Sequence, residues 1–227
     1  MIGATCCCFS NEPEQIFSDV PTSQVLPERG DVAQSIALED SPEVGPFAVV
    51  LDLGSLPEPL GLEVDNMHES GSMITSIHEG GLIHAWNQLH PRRAIREMDS
   101  IVRLNGETGP ISELLRLKMS SLTTERGLSA QLILGILRPR ILTVQLRKPG
   151  ELGVQLKYSK SSMGIIITHI AESGLIADWN AVHPHIPVRP GDRIIEVNGK
   201  KLQGFHMLEQ IRRELDLELT VLNYPDK

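Results

Sequence analysis

The chain has three cysteines in 227 residues, and they are adjacent: Cys6, Cys7 and Cys8. That excludes a disulfide framework for the body of the chain, and it lacks the ligand spacing of a structural zinc site. Aromatic residues are sparse, at 4%. No apolar run reaches the roughly 18 residues of a membrane-spanning helix. The first residues lack the basic and apolar regions of a secretory signal. Basic residues form no stripe, which speaks against nucleic acid as a partner. These absences together imply a reducing, cytoplasmic setting.

What is present is unevenly charged. Residues 1–46 hold eight acidic residues against Arg29 alone, a net charge of −7 out of −8 for the chain. This stretch is rich in Pro, Ser, Glu, Asp and Gln and shows no sustained apolar period, so it reads as a disordered acidic leader. Its cysteine cluster beside Phe9 has two readings: a palmitoylated anchor giving peripheral membrane association, or an exposed thiol-rich tail.

The remainder contains an internal repeat. Gly81–Gly106 aligns without gaps on Gly174–Gly199, with twelve identities in 26 positions, among them Trp86/Trp179, Asn87/Asn180, His90/His183, Asp99/Asp192 and Asn105/Asn198. A period of this size means two small domains rather than a solenoid, whose units run about 20–50 residues. The boundaries read as 47–138 and 139–227, joined by Arg138-Pro139-Arg140. Each copy shows the same order: a strand (47–53; 141–147), a Gly-bearing turn, a strand from Leu60 or Leu152, and a third strand (72–77; 164–170). A short helix (82–89; 175–182) ended by His-Pro follows, then a strand closing in Asn-Gly, a second amphipathic helix and a last strand (130–137; 217–222). So short a proline-stiffened link implies that the copies pack as one unit.

His84, His90, His183, His185 and Asp178 have no metal-binding spacing, and a proline separates His183 from His185, so they read as turn and loop residues. Trp86 and Trp179 read as anchors for the first helix rather than stacking platforms. No nucleophile elbow or phosphate-binding glycine loop is present, and no cofactor or enzyme activity is expected.

The order of elements, the x-Leu-Gly-Φ loop and Arg189-Pro190-Gly191-Asp192-Arg193-Ile194-Ile195-Glu196-Val197-Asn198-Gly199 resemble a PDZ domain. The second copy is the closer match; the first has Glu97-Met98-Asp99 where the second has Pro190-Gly191-Asp192. The resemblance implies a mainly β fold, two partly open β-barrels in tandem, each capped by two helices. It implies an adaptor that binds the C-terminal tails of other proteins as an added strand. The carboxylate would sit on backbone amides of Glu151, Leu152, Gly153 and Val154, with Arg147 and Lys148 adding positive potential and Glu151 opposing it. The groove walls would be Val154, Gln155 and Leu156 on the strand, and His206, Met207, Leu208 and Ile211 on the helix. A histidine at that helix start implies selection of Ser or Thr two residues before the ligand's end. In the first copy the loop would be Leu60, Gly61 and Leu62, without a nearby basic residue. The rival reading is a structural tandem whose copies pack against each other or another chain without holding a carboxylate.

Overall fold

The computed structural model describes residues 15–17, 44–53, 59–68, 71–115 and 131–225. Cys6–Cys8, most of the acidic leader and the second helix of the first copy beyond residue 115 lie outside the described residues.

Strand formation follows the alternation of apolar side chains. In β7 (Arg140–Arg147), Leu142, Val144 and Leu146 are buried and the residues between them face outward. Two antiparallel sheets result. The first copy contributes β2 (Gly45–Asp52), β3 (Leu62–Asp65), β4 (Ser72–Ile77), β5 (Ser100–Leu104) and β6 (Gln131–Arg138), in the order β2-β6-β5-β4-β3. The second contributes β7, β8 (Val154–Tyr158), β9 (Ile165–Ile170), β10 (Arg193–Val197) and β11 (Asp216–Asn223), in the matching order β7-β11-β10-β9-β8. Both are open sheets. Each breaks register once in its outer strand, between Glu63 and Val64 and between Gln155 and Leu156. The two differ by one strand: β1 (Gln15–Phe17), from the leader, lies on the outer edge of β8.

Each sheet closes over its own core. Ile74, Ile101, Leu104, Leu134 and Ile136 are among the buried residues of the first, and Val144, Ile165, Ile167, Val197, Leu219 and Val221 of the second. The helices α1 (Leu82–Leu89) and α2 (Leu175–Val182) are seated by the repeated Trp-Asn-x-x-His-Pro motif. Trp86 and Trp179 are buried in the two cores. His90 and His183 stack on them, with ring centroids 4.5 and 4.2 Å apart. The amide of Asn180 donates to the Val188 carbonyl and accepts from the Val188 N–H, both at 2.8 Å; Asn87 repeats this with Ile95. The motif is thus a clip holding the long loop onto its helix. The Asn-Gly turns take the expected left-handed backbone, with φ of 50° at Asn105 and 51° at Asn198.

The copies share a third apolar cluster. Met73 and Met98 of the first meet Met163, Ile195, Leu222 and Tyr224 of the second. Beside it, Arg193 donates to the Asp65 carboxylate at 2.7 Å, and both side chains are buried. The Tyr224 hydroxyl donates to the Met98 carbonyl at 2.9 Å. Met98 has φ of 71°, where Gly191 in the second copy has 97°. A methionine replaces the glycine at this turn and fills the interface, at the cost of a left-handed backbone that side chains disfavour.

Candidate functional site

The last helix, α3 (Gly204–Arg213), buries Met207, Leu208 and Ile211 at i, i+1, i+4 spacing against the core. Its two ends fix its course. At its start, a Cβ on Gly204 would meet Tyr158 Cβ at 2.6 Å, so only glycine allows the helix this close to the end of β8. At its finish, the Lys148 ammonium donates to the carbonyls of Ile211 and Arg212 at 2.6 and 3.0 Å. This places the helix end beside the loop that precedes β8. Strand and helix therefore run in opposite directions along a groove, with the loop at one end and Tyr158 at the other.

The loop has a specific backbone orientation. The carbonyls of Glu151, Leu152 and Gly153 accept from the N–H groups of Leu175 (2.9 Å), Ile176 (3.2 Å) and Ala171 (2.8 Å). A trans peptide unit holds its N–H opposite its C=O. The amides of Leu152 and Gly153 therefore point away from α2, and that of Val154 away from Ala171. Consecutive amides aimed one way form a concave site for an anion. Gly153 is required there: its φ is 69°, and a Cβ would lie 2.4 Å from the Ser173 carbonyl oxygen.

The first copy repeats this geometry. The carbonyls of Pro59, Leu60 and Gly61 accept from Leu82, Ile83 and His78 at 3.1, 3.1 and 2.8 Å. Gly61 has φ of 72°. Leu60, Gly61 and Leu62 thus present their amides as the second copy does.

Among the expected groove residues, the structure brings together Leu152, Gly153, Val154, Gln155 and Leu156 with Met207, Leu208 and Ile211. Leu156 and Leu208 are buried, Val154 is half-buried and Gln155 is exposed. Three residues are placed elsewhere. Lys148 caps α3. Arg147 is exposed and faces Asp216 at 3.5 Å. His206 is two residues past Gly204, about 200° around the helix, so its ring turns outward, 3.5 Å from Glu209. The residue of the helix start that faces β8 is Gly204, against Tyr158. The spacing Gly204, Leu208, Ile211 (i, i+4, i+7) was the available signal.

The other buried ionisable groups lie at the opposite end of the second copy. Burial raises Asp192 to about 6, although Asn223, the backbone amides of Arg189 and Tyr224, and the Arg189 charge all favour its ionised form. Asn223 Nδ2 donates to it at 2.7 Å. In the first copy the corresponding carboxylate, Asp99, instead holds Arg138 in a buried pair at 2.8 Å. Burial likewise pushes the Tyr224 phenol up. Between the copies is a cavity of about 320 Å³ lined by Met73, Leu137, Asp192 and Tyr224, among others. Among the described residues no helix is long and apolar enough to cross a membrane, and no cluster of potential metal ligands is found.

In the second copy, β8 and α3 thus run antiparallel, with the Glu151–Gly153 loop at one end and the Tyr158–Gly204 contact at the other. Residues 142–219 match the family model of the PDZ domain. Solved structures to which the chain is similar include INAD PDZ45 in complex with NORPA CC-PBM, at 18% identity and a TM-score of 0.33, covering 80% of this chain and 93% of that one. They also include INAD PDZ45 in complex with NG2 peptide, at 18% identity and a TM-score of 0.32, covering 86% and 97%. No curated protein matches the chain at a significant level.

Proposed function

We propose that the chain is a protein-interaction adaptor whose second copy takes the C-terminal tail of a partner as a strand on β8. The terminal carboxylate is held by the amides of Leu152, Gly153 and Val154. The single observation that supports this most strongly is the bonding of three successive loop carbonyls to the start of α2 and to Ala171 just past β9, which turns those amides away from them. Binding energy comes from main-chain pairing, with Leu156, Leu208 and Ile211 lining the space for apolar ligand side chains. Lys148 serves the loop indirectly, by tying it to the end of α3. His206 does not select the ligand in this reading.

Contacts of this size give modest affinity, which tandem engagement raises. The repeated loop geometry supports a second site at Leu60, Gly61 and Leu62. The test is an array of C-terminal peptides screened against the full chain, each with a free and an amidated end. Binding that weakens at least about tenfold on amidation is expected. Binding indifferent to amidation removes the carboxylate mechanism.

A structural role has its own support in the buried Asp65–Arg193 pair and the shared methionine cluster. In that reading the first copy orients the second, and the two roles coexist.

A further inference from the structure

The two sheets have the same strand order, yet the outer edge of β8 is paired and the outer edge of β3 carries no partner among the described residues. The added strand comes from the chain itself. Gln15 pairs with Tyr158, Ile16 with Lys157 and Phe17 with Leu156, antiparallel. As β1 advances from Gln15 to Phe17, it moves along β8 toward the amide loop. That is the direction a tail would need to deliver its terminal carboxylate there. The pairing also uses the strand edge that an incoming tail would need.

We propose that Gln15–Phe17 is an internal ligand of the second copy's groove, an extended segment bound through its backbone and without a terminal carboxylate. The leader then regulates the site, because a partner's tail must displace it. This rests on the preceding reading only for the identity of the competing ligand.

Chain length permits the contact. Twenty-six residues separate Phe17 from Val44, and that many can span up to about 86 Å when extended. A tether of this kind holds the segment at an effective concentration on the order of millimolar. Three paired residues bind weakly by themselves, so the groove is closed for a large fraction of the time rather than locked. A tail's apparent affinity falls in proportion to the fraction left open. The expected reduction is about three- to tenfold.

The composition of the leader fits a displaceable ligand. Ile16 and Phe17 are adjacent apolar residues flanked by Glu12, Glu14 and Asp19. Among the described residues each core is built from its own copy, so releasing β1 leaves both of these cores in place.

The experiment compares the full chain with its Ile16→Pro/Phe17→Pro variant, in which two backbone donors are lost and the strand is broken. Amide hydrogen exchange along Leu156–Tyr158 should be about three- to tenfold faster in the variant than in the wild type, while exchange in β7 and β11 stays the same. A synthetic peptide of residues 10–22, amidated at its end, should restore the slower exchange when added to the variant at millimolar concentration. Any tail found in the array should bind the variant about three- to tenfold more tightly than the wild type. Unchanged exchange at Leu156–Tyr158 overturns the proposal. If the array yields no binder, the adaptor reading fails while the exchange measurement still decides this one.

Discussion

Single residues carry two kinds of information in this chain, and only one was readable in advance. Gly153 and the Asn-Gly turns announce backbone conformations that other residues resist, and the structure places left-handed backbone at each. Asp192 announces a turn, but its environment depends on what the fold later packs over it. Burial raises its pKa from 3.8 to about 6. Because the folded state holds its proton more tightly than the unfolded one, this group's stabilising contribution is fully present below pH 3.8. It is lost as pH rises through about 6. The change amounts to about 3 kcal/mol. Asp192→Asn should therefore gain stability relative to wild type as pH rises from 4 to 6, with no further gain above 7. Melting temperatures of both proteins across that range check it, and parallel curves would place the effect elsewhere.

At the scale of elements, hydrophobic period and proline boundaries were sufficient to locate strands and first helices. α1 and α2 occupy the ranges expected from the apolar pattern and the His-Pro stop. The function of the Trp-Asn-x-x-His-Pro repeat was only half legible. Tryptophan as an anchor follows from its size, but the asparagine clip needs the loop to fold back, which periodicity does not encode. Asn180→Ala removes two buried-side hydrogen bonds and should cost about 1–3 kcal/mol in chemical denaturation. The groove helix shows the opposite limit. Its presence was clear, yet a shift of two residues turned His206 from wall to solvent, because Gly204 takes the tightest contact with Tyr158. His206→Ala should change peptide affinity less than about twofold. A large loss would return the histidine to the groove.

For the whole molecule, the repeat made two copies evident, while their mutual packing was implied only by the short link. The residues that join them look unremarkable in sequence: Asp65 ends a strand, Arg193 belongs to the turn-and-strand signature, and Met98 stands in for a glycine. Each acquires its role from the other copy. Removing one partner of a buried charge pair leaves the other unsatisfied, so Arg193→Met should destabilise the tandem by about 3–5 kcal/mol. The double replacement Asp65→Leu/Arg193→Met should recover most of that loss; a double variant as unstable as the single one would show that the pair contributes specific geometry rather than charge balance.

The central claim concerns the second groove, and a titration of the full chain with its best array peptide, followed through backbone amide chemical shifts, tests it most directly. The account predicts that the largest shifts fall on Leu152, Gly153 and Val154 and along β8, and that amidating the peptide abolishes those in the loop. Shifts confined to the interface between the copies, or a loop response that survives amidation, would contradict it.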